Sequence, residues 1–362
     1  NRSSDLGSDV CWDPNNSEKP LRNFGFQVTG SSGSGKTQLL RALLAESRAS
    51  GLPALILDFK NDYADSYLTE AADLQVHDVA RAGLPFNPLA LVPDKEGFVR
   101  PGYTAFEVAA LLRRVFGLGA QQEAALKNAI KEAYREAGIP DAATPVRASD
   151  LPDAPGFGTV VQILRVNSSN TALLNRVEPL FDLGIFPEND AVASTFEELL
   201  EGRTVLSLHT LPDDRIRSLL AEFLIVRIHG HLLRGEQPRR LTRLILLDEA
   251  HRVAQSEKLA SLAREGRAFG VGLVVATQFA KDIPDTISGN LETKVFFKAS
   301  AEDAQSVART ITGNAAGQEA RKIVEIVLNL EQHQALVTNQ HYAPYTLVKT
   351  IPFFMRTAPQ YS

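Results

Sequence analysis

The run "TGSSGSGKT", residues 29–37, constrains the fold more than any other stretch of this 362-residue chain. Within it, Gly30, Gly35, Lys36 and Thr37 fit the spacing G-x-x-x-x-G-K-[ST] of a phosphate-binding loop. The apolar stretch "FGFQV" precedes the run, and "KTQLLRALLAESRAS" follows it with leucines at helical spacing. A strand, a glycine loop and a helix in this order predict the first part of a βαβ unit.

This loop has the residue types that triphosphate binding needs. Its glycines let the backbone wrap closely, so that successive N–H groups point at phosphate oxygens, and the following helix directs its positive dipole end at the same charge. The Lys36 ammonium can reach the β- and γ-phosphates, and the Thr37 hydroxyl can bind Mg²⁺. We therefore expect the chain to bind ATP and Mg²⁺. The predicted nucleotide-binding residues are Gly30, Ser31, Ser32, Gly33, Ser34, Gly35, Lys36, Thr37 and Gln38.

The rest of the chain continues the alternation of strands and helices. "LPALILDF" is a continuous apolar run of strand length, typical of a buried parallel strand, and "RTVLSLHT", "RLILLDEAH", "VGLVVATQ" and "TKVFFKAS" predict further strands. We predict an α/β fold with a mostly parallel sheet. The expected core comprises residues 1–100 and 201–355, residues 101–200 form a helical insertion, and residues 356–362 form a tail.

Residues 61–102 and the helical insertion differ in their predicted secondary structure. Residues 61–102 are expected to be rich in loops, because "GLPFNPLALVPDKEGFVRPG" carries four prolines. The insertion begins with "TAFEVAALLRRVFGLGAQQEAALKNAIKEAYREAGI", which predicts two amphipathic helices separated at "GLGA".

A second part of the site lies in "LILLDEAH", where Asp248 and Glu249 follow an apolar strand. An aspartate at the tip of a buried strand beside a phosphate loop can hold Mg²⁺ through water, so Asp248 joins Thr37 as a predicted metal-binding residue. The adjacent Glu249 can act as the general base that polarises an attacking water. A kinase does not need that glutamate, so the pair favours hydrolysis. We interpret His251 as a local polar residue near the site.

Two further features lie in "LAREGRAFGVGLVVATQ". Gln278 ends a strand, and it would point at the γ-phosphate if this strand lay between those of the phosphate loop and Asp248. Arg264 and Arg267 lie near a helix end, where cations complement the helix dipole. From the residues alone, that interpretation and an arginine finger that reaches a neighbouring subunit's nucleotide stay equally open.

Together these motifs resemble the HerA–FtsK superfamily of ring-shaped DNA-pumping ATPases, which have a RecA-like P-loop core of the ASCE type. The resemblance covers residues 23–354 and rests on "TGSSGSGKT", "LILDFKNDYAD", "LILLDEAH" and, most specifically, "EGRAFGVGLVVATQ". It implies a homo-hexamer with double-stranded DNA in its pore. It also implies the following roles: Lys36 and Thr37 bind phosphate and Mg²⁺, Asp248 organises the metal, Glu249 is the catalytic base, Gln278 senses the γ-phosphate, and Arg267, with Arg264 in reserve, is the trans-acting finger.

Finer features place the resemblance within that superfamily. "VFGLGAQQEAALKNAI" and "GLPFNPLAL" are similar to HerA-type ATPases of bacterial defence systems, such as the DptH type, which implies a nuclease or another defence subunit as a partner. Two departures stand out. Phe279-Ala280 replaces the Arg-Pro that many relatives carry after "ATQ", and "EQHQALV" brings His333 to a place where relatives often have glycine.

Composition bounds the setting rather than the reaction. The net charge of −5 does not by itself predict nucleic-acid binding, although a ring of subunits can present a local basic stripe. The single cysteine, Cys11, cannot form an internal disulfide, which fits a reducing compartment. No apolar run approaches the roughly 18 residues of a membrane span, and the start lacks the pattern of a signal peptide. We expect a cytoplasmic protein without a membrane partner.

Two other functions fit the same motifs. The fold also drives conjugation and secretion machines that act on protein, and the acidic net charge mildly favours that alternative. The second is a nucleotide-gated scaffold that assembles a complex and hydrolyses little.

Overall fold

The structure is a computed structural model that describes residues 10–16, 18–141, 144–166, 168–188, 193–232, 235–238, 240–314 and 316–356. Residues 357–362 of the predicted tail lie outside these ranges. The strands, in chain order, are β1 (Phe26–Thr29), β2 (Ala54–Asp58), β3 (Gln75–Asp78), β4 (Phe98–Val99), β5 (Val146–Arg147), β6 (Arg203–Ser207), β7 (Arg243–Leu247), β8 (Val271–Thr277), β9 (Thr293–Phe296), β10 (Gln334–Thr338) and β11 (Thr346–Lys349).

The helices alternate with these strands. They are α1 (Lys36–Arg48), α2 (Ser66–Ala72), α3 (Val79–Ala82), α4 (Pro101–Phe116), α5 (Ala120–Glu136), α6 (Phe157–Val166), α7 (Thr171–Phe181), α8 (Ala193–Glu201), α9 (Asp214–Leu232), α10 (Glu257–Glu265), α11 (Asp285–Ser288), α12 (Ala304–Thr312), α13 (Gln318–Asn329) and α14 (Phe353–Arg356). The described chain divides into two compact units. Unit 1 takes its residues from 1–50, 237–254 and 262–362, and unit 2 takes its residues from 51–236 and 255–261.

Unit 1 is built on strands in the order β11-β10-β9-β1-β8-β7. β1 pairs in parallel with β8 on one side and with β9 on the other, and β7 pairs in parallel with β8. β10 and β11 run antiparallel at the edge. Every residue of β1 and β8 is buried, as expected for central parallel strands covered on both faces.

Helices α12 and α13 of unit 1 form an apolar pair that covers the β9–β10 side. Their apolar positions recur at helical spacing, so each helix presents one buried stripe. The buried members of this cluster include Phe296, Ala304, Val307, Ala308, Ile323, Val327 and Leu336.

Unit 2 contains the parallel strands β2-β6-β3 and most of the helices. α4 packs against α5, α5 against α6, and α6 against α7, while α4 also packs against α9. α9 carries apolar residues on nearly all sides and is extensively buried. Phe157 anchors an aromatic cluster with Phe181, Phe186 and Phe223.

An ion pair with a buried carboxylate ties α4 to α9 within unit 2. Arg114 donates to the carboxylate of Glu222, which is 4% exposed. Burial raises the pKa of Glu222 from its ordinary value of 4.5, while the Arg114 charge and hydrogen bonds from Ser256 and Arg114 oppose that rise. The arginine therefore keeps a carboxylate tolerable at a position that would otherwise favour an apolar side chain.

The predicted fold class is confirmed, because the sheet strands are mostly parallel and alternate with helices. Residues 61–102, expected to be rich in loops, also contain the short elements α2, β3, α3 and β4. α2 begins after Asp65, whose carboxylate accepts a hydrogen bond from the Leu68 N–H. β3 pairs only with β6 among the described strands and leaves its side chains exposed or half-buried, so it lacks the apolar run that marks a central strand.

Within the described residues, no helix combines the length and apolarity needed to cross a membrane.

Candidate nucleotide-binding site

The phosphate loop joins the buried end of β1 to the first turn of α1, and two of its glycines are sterically required. Gly30 has a φ of 150°, and a Cβ there would lie 2.6 Å from the Phe297 Cβ. Gly35 has a φ of 119°, and its Cβ would lie 2.7 Å from the His333 Nδ1. A side chain at either position would be strained and would clash, so the tight turn depends on glycine.

The middle of the loop projects outward while its flanks are held. The Ser31 N–H donates to the Lys298 carbonyl, which follows β9, at 2.7 Å. Ser32 and Gly33 are exposed, whereas Ser34 is buried. The tip of the loop is therefore accessible and its base is fixed to the sheet.

Lys36 begins α1 and contacts the loop itself. Its Nζ donates to the carbonyls of Gly30 at 2.6 Å and Ser31 at 3.0 Å. The ammonium thus lies inside the curve of the loop. Thr37 and Gln38 follow in the first helical turn and are half-buried, at the helix end that favours anions.

The acid pair follows β7 directly. Leu247 at the end of β7 is in register with Val275 of β8, so Asp248 and Glu249 extend toward the level at which β8 ends. They are 7% and 6% exposed, and the Asp248 Oδ1 accepts a hydrogen bond from the Glu249 N–H at 3.0 Å. Glu249 adopts left-handed backbone angles, with φ 61° and ψ 42°. His251 is exposed, and its Nδ1 lies 3.8 Å from the Glu249 Oε2, so it borders the site.

Strand order brings Gln278 between the phosphate loop and the acid pair. β8 lies between β1 and β7, and Thr29 at the end of β1 is in register with Thr277 at the end of β8. Gln278 follows Thr277 and is half-buried. The predicted role of Gln278 at the γ-phosphate requires its strand to lie between those of the phosphate loop and Asp248, and the strand order meets this requirement.

Buried hydroxyls mark the same edge of the sheet. Within the described residues, the Oγ atoms of Thr29, Ser34 and Thr277 are buried and have no hydrogen-bond partner. A buried hydroxyl without a partner is costly, so water or bound oxygen groups are expected to satisfy these atoms. This edge is accordingly polar and suited to a phosphate-bearing ligand.

A buried carboxylate holds the loop that follows Gln278. Asp303 is 1% exposed and accepts hydrogen bonds from the N–H groups of Ala280 at 2.8 Å and Lys281 at 3.1 Å. Burial raises the pKa of Asp303, and the two backbone hydrogen bonds oppose the rise. The loop beyond Gln278 is thereby tied to the start of α12.

Arg267 lies at the opposite edge of the sheet from these residues. It precedes β8, and its Nη1 donates to the Arg22 carbonyl, which precedes β1, at 3.0 Å. β8 is seven residues long and spans about 20 Å, which exceeds the reach of an arginine side chain. Arg264 is exposed at the end of α10 and contacts Glu265. The structure therefore does not place either arginine at the phosphate loop of its own chain.

Sequence reasoning assigned no site role to Gln332 and His333, which contact the loop from the turn before β10. The Gln332 Nε2 donates to the Gly33 carbonyl at 3.1 Å, and the His333 N–H donates to the Ser34 carbonyl at 2.9 Å. The stretch "EQHQALV" differs from that of many relatives and could have drawn attention to this turn. The local sequence does not show that Gln332 and His333 contact the phosphate loop.

Comparisons with known proteins found relatives among P-loop ATPases. Residues 18–82 match the family model of the type IV secretion-system coupling protein DNA-binding domain. The chain is 22% identical over 283 residues to the DNA double-strand break repair helicase HerA of Saccharolobus solfataricus, which covers 75% of this chain and 53% of that protein. These two matches indicate the HerA–FtsK and TrwB superfamily of P-loop ATPases. The predicted resemblance to this superfamily is thus confirmed, and the chain spans about half the length of this curated relative.

Solved structures support the predicted fold. VirB4 of Thermoanaerobacter pseudethanolicus aligns with a TM-score of 0.69 and 17% identity, over 92% of this chain and 91% of that one. The plasmid coupling protein TrwB, solved in complex with ADP and Mg²⁺, aligns with a TM-score of 0.56 and 15% identity, over 91% of this chain and 86% of that one.

The backbone of Glu249 gives a test of how the acid pair is held. Glu249→Gly should be about 1 kcal/mol more stable than Glu249→Ala, because both variants lose the side chain but only glycine relieves the left-handed conformation. Urea unfolding without nucleotide measures the difference. The control is Ala124→Gly at an exposed position of α5, which should be destabilising. Equal stability of the two Glu249 variants would contradict the strained geometry.

Proposed function

We propose that the chain is an ATP-hydrolysing motor that translocates on double-stranded DNA as a homo-hexamer. The observation that carries this proposal is the position of β8 between β1 and β7, which gathers the phosphate loop, Gln278 and the acid pair at one sheet edge. The similarity to the HerA helicase supports DNA as the substrate. We also propose that residues 101–200 are a helical insertion in a core formed by residues 1–100 and 201–355. A nuclease or another defence subunit as partner stays a prediction.

ATP is the proposed substrate of the loop. The glycine backbone and the first turn of α1 offer N–H groups and a positive dipole end, and Lys36 lies inside the loop's curve. We expect its ammonium to exchange the carbonyls of Gly30 and Ser31 for phosphate oxygens when ATP binds. The complex of TrwB with ADP and Mg²⁺ supports such a ligand.

Thr37 and Asp248 would hold the Mg²⁺ ion. Both offer the hard oxygen ligands that Mg²⁺ prefers, and Asp248 is a nearly buried carboxylate at the edge where the phosphate loop begins. The described residues contain no cluster of three or more histidine, cysteine or acidic side chains, which fits an ion held largely by phosphate and water oxygens. Bound Mg²⁺ would neutralise charge on the β- and γ-phosphate oxygens.

Glu249 would accept the proton of the attacking water. Its carboxylate is nearly buried, so its interactions are less screened than they would be in bulk water. Gln278 would orient that water, or respond to its loss, from the neighbouring strand. Lys36 would stabilise the charge that develops on the phosphate as the bond to the leaving oxygen breaks.

Substitutions separate binding from hydrolysis in this arrangement. Lys36→Ala should abolish nucleotide binding or turnover, because it removes the cation of the loop. Glu249→Gln should still bind ATP but hydrolyse it at least about 100-fold more slowly, because the base is lost while the shape is kept. Equilibrium binding and steady-state phosphate release measure the two effects. Normal turnover by Glu249→Gln would show that the base is another group.

Arg267 is proposed to complete a neighbour's site. It lies about 20 Å from the phosphate loop of its own chain, at the other end of β8. It is exposed, so it is accessible to another subunit. In a head-to-tail ring, one face of each subunit meets a different face of the next, so an arginine on one face can reach the nucleotide on the other.

Mixed rings test this arrangement. Lys36→Ala and Arg267→Ala subunits should each be inactive alone but regain activity when mixed, because about a quarter of the interfaces in an equal mixture then carry both groups. The matched control mixes Lys36→Ala with Glu249→Gln; it should stay inactive, since both residues belong to one chain's site. Phosphate release after subunit exchange is the measurement. An inactive Lys36→Ala and Arg267→Ala mixture at every ratio, with mixed rings shown by mass, would count against the shared site.

A second function of the same ATPase fits equally well. The match of residues 18–82 to the coupling-protein model and the likeness to VirB4 favour a conjugation or secretion motor. A nucleotide-gated scaffold with little turnover is the third possibility, and steady-state hydrolysis would exclude it.

Salt dependence distinguishes DNA from protein as the cargo. For a DNA translocase, duplex DNA should raise ATP turnover at low salt, and the stimulation should fall steeply between about 50 and 200 mM salt as phosphate contacts weaken. Turnover of the wild-type chain and of Lys36→Ala, with and without DNA, measures this effect. Turnover that DNA does not change at any salt concentration would favour the protein motor.

A further inference from the structure

The turn between α13 and β10 contacts the phosphate loop from a distance of about three hundred residues along the chain. The Gln332 side chain donates to the Gly33 carbonyl, and the His333 N–H donates to the Ser34 carbonyl. These two acceptors are consecutive peptide units of the loop. None of the nucleotide-binding motifs includes either donor.

His333 is itself held in place from its other side. Its carbonyl accepts hydrogen bonds from the Thr350 N–H at 2.7 Å and the Thr350 Oγ1 at 3.1 Å. Its backbone has a φ of 65°, which is unusual for a residue other than glycine. Such a backbone conformation persists only where surrounding contacts enforce it, and it is frequent at functional sites. The His333 ring also contacts Phe354, with ring centroids 6.3 Å apart.

The imidazole of His333 covers Gly35. A Cβ on Gly35 would lie only 2.7 Å from the His333 Nδ1, so the ring leaves that glycine no room to move toward it. The Nδ1 is buried and has no hydrogen-bond partner within the described residues. Close behind, α14 packs against α1, where the Arg41 guanidinium lies over the Phe353 ring at 5.2 Å. The segment from Gln332 to Phe354 therefore braces both the loop and the helix that follows it.

Peptide geometry gives these contacts a consequence for ligand binding. In a planar trans peptide, the C=O and the N–H point in opposite directions. A Gly33 carbonyl held by Gln332 directs the Ser34 N–H away from that contact, and a Ser34 carbonyl held by His333 does the same for the Gly35 N–H. The two carbonyls are thus fixed on the side of the brace. The N–H groups lie on the other side, where the Ser34 N–H donates to the Ser31 carbonyl at 3.3 Å.

We propose that Gln332 and His333 are positioning residues that pre-organise the phosphate loop for the triphosphate. This inference rests on the proposed ATP binding and adds to it a part of the chain outside the known motifs. A loop that is already ordered loses less conformational entropy when the ligand binds. The brace therefore acts on nucleotide affinity rather than on the chemical step.

The test uses Gln332→Met, which keeps the length of the side chain and removes its donor without adding charge. The dissociation constant and the KM for ATP should rise about 3- to 10-fold, while kcat changes less than about twofold. The matched control is Gln334→Met. The Gln334 side chain bonds to Glu331 and does not touch the loop, so both parameters should stay at the wild-type value.

A second variant tests the ring of His333. His333→Asn keeps the main-chain donor and suits the left-handed backbone, and it removes the ring that covers Gly35. It should raise the dissociation constant for ATP in the same direction, with the urea midpoint of the nucleotide-free protein close to that of the wild type.

The outcomes are distinguishable from those of the proposed function. If the wild type binds ATP and Lys36→Ala does not, the site stands, and unchanged binding and KM in Gln332→Met and His333→Asn would overturn the positioning role. An equal loss in Gln332→Met and Gln334→Met would also overturn it, because the effect would not depend on contact with the loop. If the wild type binds no nucleotide, the proposed function and the positioning role both fail.

Discussion

The pairing of β8 with β1 on one side and with β7 on the other is the interaction on which the candidate site depends. Parallel strands in register end at one edge, so the glycine loop after β1, Gln278 after β8 and the acid pair after β7 meet there. Every residue of β8 is buried, and its apolar side chains hold it at the centre of unit 1. The hydrophobic core thus sets the spacing between the polar groups that follow these three strands.

The same strand separates two parts of the proposed ATPase cycle. Gln278 lies at its carboxyl end, and Arg267 lies before its amino end. A site that needs both must therefore combine residues from different chains, which gives a physical reason for a ring. Asp303 links the loop after Gln278 to the start of α12, which belongs to the apolar α12–α13 pair.

The conformation of the phosphate loop depends on residues outside the shared motif. The glycines and Lys36 are shared by many nucleotide-binding loops, and their conformation here is fixed by neighbours outside the motif. Lys298 holds the start of the loop through its carbonyl, and the brace formed by Gln332 and His333 holds its far side. In the proposed positioning role, residues outside the motif influence nucleotide affinity.

The sequence alone predicted the phosphate loop, the acid pair, Gln278, the α/β class and the resemblance to the superfamily, because each rests on short local patterns of residues. It failed at β3, whose exposed side chains lack an apolar run, since pairing with β6 makes that strand rather than local propensity. Only the tertiary structure decided that β8 lies between β1 and β7, that Arg267 faces away from its own site, and that His333 touches the loop. Apart from the pairing of β7 with β8, these contacts join residues hundreds of positions apart. Strand order and packing bring such residues together, and local patterns do not encode them.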